Sequence, residues 1–466
     1  MKGILSTAIL SAISATSMFA HQKPNVVFIV TDDLGYGDLS CFGQEKFTTP
    51  NIDKLALNGT RFTRSYSGTT VSAPSRASLL TGLHTGHTPI RGNKEIEPEG
   101  QAPLPSNIYT IFSLFKEEGY ATGAFGKWGL GYPGSSGDPV NQGIDDFFGY
   151  NCQRLAHNYY PSHLWENDTK IDLTENDNGK LGTYSQGLIQ EKTLQFIEDE
   201  KDNPFFLFVP MVLPHAELVV PEDSIIQNIR GQFPETPYVG IDSGPLFRKG
   251  GYMSQDYPRA THAAMIKRID IYVAQIIDKL KKEGVYENTL IIFTSDNGPH
   301  REGGGDPDFF NSNGIYRGYK RDLYEGGIRV PTIISWSGKI KSGEESNFPF
   351  AFWDYLPTFA DILDANLKTE TDGVSILPTL LGKGQQEERD YFYFEFQELG
   401  GRQAVIKDNW KLLHLNIRGG GRYELYNIAS DPSENHNIID QYPDKANQLK
   451  TIMKEARTDD PDWSLF

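Results

Sequence analysis

Cysteine is nearly missing from this chain: Cys41 and Cys152 are the two in 466 residues. That number excludes a disulfide framework and any cysteine-based zinc site, and leaves either one bridge or two free thiols. Positive charge is short as well. Lysine and arginine together number 44 against 61 aspartates and glutamates, a formal net charge of −17. Such a balance argues against a nucleic-acid partner. An anionic substrate would need a locally basic pocket inside an acidic field. Beyond the N-terminal stretch no apolar run is long enough to span a membrane. No internal repeat and no low-complexity tract is present.

What is there begins with a leader. Residues 1–20 read as a secretory signal: Lys2 supplies the positive start, Ile4 to Met18 are largely apolar, and Ala20 is a small residue at the cut. No cysteine follows, so a lipoprotein anchor is not expected. The expected location is the periplasm of a Gram-negative cell or the extracellular medium. A chain of this length, 38% hydrophobic and 12% aromatic, predicts a large α/β domain over 21–370 and a smaller C-terminal α+β subdomain over 371–466.

The run Asn25 to Thr31 is apolar and β-branched throughout, as in a strand buried on both faces of a parallel sheet. Tyr120–Phe125, Pro204–Pro210, Thr289–Ser295 and Val330–Ser335 repeat the pattern. Helices are expected from Pro50 to Asn58, from a Ser106 cap to Gly119, over 184–200, from Ala263 to Glu283 and over 354–364. Residues 131–183 and 219–258 read as loops that shape a site or its rim. The C-terminal part has short alternating strands near 391–396, 403–406, 410–415 and 423–427, then a helix over 444–457. Strand–helix alternation predicts a large, mostly parallel mixed sheet sandwiched by helices, with a short antiparallel sheet behind it.

Chemistry gathers at the strand ends, where open α/β sheets collect ligands. Asp32 and Asp33 follow the first strand, and Asp296 and Asn297 follow a later one. Three carboxylates and an amide oxygen describe a site for Ca²⁺, or Mg²⁺, rather than zinc. Lys127 and His215 follow two further strands; Arg76 and Lys320 come from elsewhere. With a divalent cation they form a pocket for a tetrahedral oxyanion. Ser72 opens the helix Ser72–Gly82, as its cap, and Arg76 lies one turn on.

Ser72-Ala-Pro-Ser-Arg76 followed by Leu79-Leu-Thr-Gly82 resembles the signature of the type I sulfatases of the alkaline phosphatase-like superfamily. Asp32-Asp33-Leu-Gly-Tyr-Gly-Asp38, Gly126-Lys127-Trp128, Pro214-His215, Ser295-Asp-Asn-Gly298, Gly318-Tyr-Lys320, Tyr324-Glu-Gly-Gly-Ile-Arg-Val-Pro331 and Asp372-Gly-Val-Ser375 match the same family in order. The resemblance implies a sulfatase that hydrolyses sulfate esters. Ser72 would be oxidised to formylglycine by a dedicated maturase, and its hydrated aldehyde would attack sulfur. Asp32, Asp33, Asp296 and Asn297 would hold Ca²⁺ together with the modified Ser72. Arg76 would hold the diol, Lys127 and Lys320 the sulfate, and His215 would protonate the leaving oxygen with help from Lys320.

Two departures stand out. The modified position is serine rather than cysteine, which implies an anaerobic, radical-type maturase. Gly129 stands where the family often carries a histidine that contacts the diol; His157, His300, a water or an Asp would have to take its proton. Similarity to a bacterial arylsulfatase or N-acetylgalactosamine sulfatase-like subgroup implies a sulfated saccharide substrate, galacto-configured, with His157, His300, Glu395 and Gln397 as substrate contacts. Two other readings stand beside this one: a phosphodiesterase or phosphonate monoester hydrolase of the same superfamily, and a non-catalytic sulfoglycan-binding protein with Ser72 unmodified.

Overall fold

A computed structural model describes residues 23–245, 247–248 and 251–466. The expected signal segment lies outside the described residues. No described helix is long and apolar enough to cross a membrane, and Cys41 and Cys152 are both free thiols.

Five strands make the parallel heart of the large sheet. Asn25–Thr31 is buried at every residue and pairs in parallel with Thr289–Ser295 on one side and Phe205–Pro210 on the other. Ala121–Lys127 and Asp146–Tyr150 extend the parallel set. Continuous Val, Ile and Phe runs form these strands because helices cover both faces and leave no side exposed to water. The flanks turn antiparallel, except that two short strands, Glu344–Ser346 and Phe350–Ala351, pair in parallel with Thr60–Tyr66. Arg329–Trp336 and Thr60–Tyr66 continue beyond Thr289–Ser295. A hairpin of His163–Glu166 and Thr169–Asp172 closes the other edge. The sheet is therefore large and mixed with a parallel centre, as expected.

Several expected elements shift, each for a local reason. The helix predicted from Ser106 begins at Ile111: Thr110 caps it in a reciprocal box with Ser113, their backbone N–H groups each donating to the other's hydroxyl. The long amphipathic helix runs from Pro258 to Lys282, several residues earlier than expected, because a proline is tolerated in the first turn. Thr60–Tyr66 escaped the sequence pattern because two arginines interrupt it near the sheet edge. Asp146–Tyr150 and the hairpin lie inside the stretch read as loop, where frequent glycine and asparagine mask short strands.

Four antiparallel strands, Phe392–Phe396, Arg402–Lys407, Trp410–Leu415 and Arg422–Asn427, form the second sheet. One face packs on the helix Pro443–Glu455 through Val405, Leu412, Leu425, Leu449 and Met453. The other face, with Phe394, Phe396 and Leu413, packs on Tyr66, Val71, Leu323 and Ile328 of the large layer. Alternation of apolar residues toward two partners explains why both faces are filled. The seam reaches Val71, the residue just before Ser72.

Candidate active site

Sheet register assembles the site. Thr31 pairs with Ser295, so the next residues on both strands, Asp32 and Asp296, emerge side by side. Asp296 N donates to Thr31 O at 2.9 Å. Lys127 ends a third strand of the same parallel set. Thr60–Tyr66, two strands away, runs toward this edge as well, and the turn after it starts the helix Ser72–Thr81. All ten helix residues are buried.

Ser72 is not the cap that the sequence suggests. Val71 is the extended N-cap residue and Ser72 the first helical one. Its hydroxyl is turned out of the helix and donates to Asp32 Oδ1 at 2.9 Å, with Lys127 Nζ 3.5 Å away. Gly82, in the left-handed region at φ 69°, ends the helix. Asp372 N donates to Gly82 O at 3.0 Å, which gives the Asp372 motif a structural part in closing that end.

Arg76, one turn from Ser72, forks Nε and Nη2 onto Asp296 Oδ2 at 3.0 and 2.9 Å and sends Nη1 to the Lys127 carbonyl at 2.6 Å. Ser75 donates to the Asp296 carbonyl at 2.6 Å; sequence reasoning passed over it as a helix residue. Lys127 Nζ rests on Asp32 Oδ2. Asp33 accepts from Asn297 Nδ2 at 2.6 Å and from Lys320 Nζ at 2.8 Å, and its own N–H donates to Asp296 Oδ1 at 3.1 Å. His215 Nε2 lies 3.0 Å from Lys320 Nζ and 3.4 Å from Asp33 Oδ2.

The electrostatics follow from burial set against these contacts. Burial works to raise the pKa of Asp32, but the charges of Lys127, Arg76 and Lys320 outweigh it and hold the carboxylate well below its usual range. Asp296 moves upward, because burial and the neighbouring Asp32 charge exceed the pull of Arg76. Burial lowers Lys127 despite Asp32. Burial also works to lower Lys320, but Asp33 and Glu302 more than reverse it. Burial and the adjacent Lys320 charge push His215 well below its ordinary value, so its ring is neutral. The ring's Nδ1 faces the Ala216 carbonyl, which leaves the Nε2 lone pair for Lys320.

The donor set suits a hard cation. Asn297 Nδ2 is fixed by two acceptors, Asp33 Oδ1 and the Gly298 carbonyl, so its Oδ1 is held on the other side. That oxygen is buried and has no hydrogen-bond donor. An amide oxygen left free beside three carboxylates fits an oxygen-liganded divalent ion. Asp32, Asp33 and His215 each bring a potential ligand atom within 4.8 Å of the others.

The four residues expected to touch substrate fare differently. The His157 ring stacks on His215 at 5.0 Å between centroids. His300 is 5.8 Å from His215, but its two ring nitrogens face the Pro214 carbonyl and the Glu302 N–H. Glu395 is fully enclosed. Its carboxylate accepts from Tyr393, Arg457, Gln397 and Arg91, so its lone pairs are used within the protein. Gln397 hangs on Glu395 and on the Trp463 carbonyl. At Gly129 the backbone has φ 73°, and a Cβ there would lie 2.3 Å from Gln153 Nε2. The Gln153 amide occupies the space beside the position where the family often carries a histidine.

A hydroxyl at a buried helix start, paired carboxylates at the carboxyl edge of a parallel sheet, and converging Arg, Lys and His define a hydrolase of oxyanion esters in the alkaline phosphatase-like superfamily. More narrowly, the chain belongs to the sulfatase family: the sulfatase profile matches residues 24–365. The profile for N-sulphoglucosamine sulphohydrolase, C-terminal, matches residues 314–459. Its enzyme class is that of the sulfuric ester hydrolases, and members of the sulfatase family generally use formylglycine and a divalent metal. The N-acetylgalactosamine-6-O-sulfatase of Bacteroides thetaiotaomicron is 29% identical, with 94% of each chain covered. Human arylsulfatase A is 30% identical over 91% of this chain and 85% of its own. Among solved structures, Ps i-CgsB in complex with k-i-k-neocarrahexaose superposes with a TM-score of 0.78 at 26% identity, covering 96% of this chain and 95% of that one.

Proposed function

We propose that this chain removes sulfate from sulfated saccharides, with Ser72 carried as formylglycine and Ca²⁺ held by Asp32, Asp33, Asp296, Asn297 and the modified residue. The observation that carries the reading is the Ser72 hydroxyl, aimed out of a buried helix start at Asp32 and Lys127. The hydrated aldehyde would supply one hydroxyl for attack on sulfur and a second whose deprotonation expels sulfate. The cation would supply positive charge opposite the sulfate oxygens.

The chain's own residues do the rest. Arg76 is pinned by Asp296 and the Lys127 carbonyl, so its position beside residue 72 needs no rearrangement during turnover. Lys127 and Lys320 are the ammonium groups for sulfate oxygens. The leaving oxygen takes its proton from the His215–Lys320 pair, in which the ammonium is the protonated member and His215 Nε2, 3.0 Å away, accepts from it and holds it in place. Gln153 Nε2, buried beside Gly129 without an acceptor, offers an N–H there, and an amide takes no proton. A galacto-configured sugar fits the N-acetylgalactosamine-6-O-sulfatase relative. The leader expected over residues 1–20 fits export to the periplasm or beyond.

The test is a peptide mass across Ser72 from protein made with a serine-type maturase, paired with sulfate release from sulfated saccharides. Formylglycine is lighter than serine by two hydrogens. Finding serine alone in protein from the native host would overturn the enzyme reading in favour of a binding protein. Faster turnover of an aryl phosphate than of the matching aryl sulfate would overturn it in favour of a phosphoesterase.

A further inference from the structure

The groups assigned to sulfate are enclosed: the Lys127 and Lys320 side chains are 1% and 5% exposed. Beside them exposure rises along one line of contacts. Glu302, 19% exposed, reaches Lys320 Nζ at 3.5 Å. Arg321, 36% exposed, pairs through Nη1 with the other Glu302 oxygen. Tyr252 donates to Glu302 Oε2 at 2.9 Å, and its ring stands 5.5 Å from His157 and 6.4 Å from His215. A carboxylate, a guanidinium and an aromatic ring thus meet on the more exposed side of the lysines assigned to sulfate.

The Arg321 backbone is built to hold this place. It sits at φ 75°, a conformation that costs an arginine roughly 1 kcal/mol or more. Its N–H donates to the Thr70 carbonyl at 3.1 Å, and its carbonyl accepts from Arg402 at 2.8 Å. One anchor is therefore the loop that leads into Ser72.

We propose that Arg321, Glu302 and Tyr252 form the subsite that grips the sugar bearing the scissile sulfate, and that this sugar carries no second anionic group next to it. The inference rests on the saccharide sulfatase reading above. The carboxylate and guanidinium match the acceptor and donor sides of neighbouring hydroxyls, and the tyrosine offers an apolar face with a polar tip. Charge sets the selectivity. Arg321 lies between Glu302 and Glu398, whose Oε2 is 3.8 Å from its Nε. Arg402 is itself paired with Asp322 at 2.9 Å. Glu302 and Glu398 oppose the Arg321 charge, and Lys320, the other cation on Glu302, is taken up by Asp33 and the scissile sulfate, so a second sulfate or a uronate meets no unopposed cation there.

The experiment uses the matured, calcium-loaded full chain with three probes: 4-nitrophenyl sulfate, monosulfated galactose and N-acetylgalactosamine, and their disulfated forms. Arg321→Met should lower the ratio of saccharide to aryl sulfate kcat/KM by about tenfold or more, mainly through KM, since the sugar hydroxyls lose a charged donor that the aryl ester never uses. Arg321→Lys should recover part of that ratio. The wild type should prefer monosulfated over disulfated sugar by about tenfold. Equal losses on both probe types, disulfated sugar turned over as fast as monosulfated, or aryl sulfate cleaved while no monosulfated sugar is, would each overturn the subsite alone. No sulfate release from any probe, with formylglycine confirmed by mass, would overturn the function and the subsite together.

Discussion

Arg76 and Asp296 meet through a fork onto a single oxygen: Nε and Nη2 of the guanidinium donate to Asp296 Oδ2 at 3.0 and 2.9 Å. Both side chains are buried, and the third arm of the fork fixes the Lys127 carbonyl. One side chain thus ties the Ser72 helix to two strand ends. Lysine keeps the charge but not the fork. Arg76→Lys is expected to fold and to lose roughly 10²–10³-fold in kcat, the range for removing one preorganised donor. Arg76→Ala leaves a buried carboxylate short of its partner and should cost about 3–5 kcal/mol of stability. Steady-state rates with an aryl sulfate, alongside urea unfolding, measure both. Near wild-type kcat in the lysine variant would mean that charge alone suffices.

Asn297 gives the metal prediction. Its amide nitrogen is committed to Asp33 and Gly298, and its oxygen is buried without a donor. Adding Ca²⁺ after chelation should raise the stability of the wild type, by about 2.7 kcal/mol at roughly 100 times Kd, and restore activity. Asn297→Ala should fold but lose most of that calcium-dependent shift in Tm. An undiminished shift in the variant would place the ion elsewhere. Magnesium in place of calcium tests the ion's identity in the same titration.

Much of this is legible in the sequence. Buried strands declare themselves by unbroken Val, Ile and Phe runs, and the residues after them gather at one edge because parallel strands end together. That is why Asp32, Asp33, Lys127, His215, Asp296 and Asn297 could be grouped from sequence. The sequence makes Ser72 a cap, because capping and presenting a hydroxyl use the same residue type at nearly the same place; only its bond to Asp32 separates them. Glu302 and Arg321 were passed over, since a charged loop residue carries no period and its partner is remote in sequence. Glu395 lies in an aromatic strand with the composition of a sugar-binding wall, yet the second sheet folds it inward.

Glu395 therefore yields a prediction that separates wall from knot. Its carboxylate accepts from Arg457 Nε at 2.9 Å, from Tyr393 at 2.6 Å and from Arg91 at 3.4 Å, and its backbone meets Thr85 and Thr69. Those contacts join the second sheet to the segments on both sides of the Ser72 helix. Glu395→Ala leaves two arginines without their carboxylate and should cost about 3–5 kcal/mol, read as a lower urea midpoint. A rise in KM for saccharide with unchanged stability would instead make Glu395 a substrate contact.

Glu217 gives the pH dependence. It is wholly buried two residues beyond His215, and its oxygens accept from the Tyr159 and Met253 N–H groups at 3.3 Å each. Burial pushes its carboxyl from 4.5 up to about 7, more than those two hydrogen bonds bring it down. A folded-state pKa above the unfolded one means that the native state binds the proton more tightly. The stabilisation is therefore full below the unfolded value and is lost as pH rises through the folded value. Between pH 4.5 and 8 the loss from this one group is about 3 kcal/mol. Glu217→Gln removes the titration. Whatever offset its amide introduces, the slope of unfolding free energy against pH should be shallower than in the wild type across this window. Parallel slopes in urea melts at pH 5, 6, 7 and 8 would show that Glu217 is ionised throughout, and would move the origin of any alkaline loss of stability to another group.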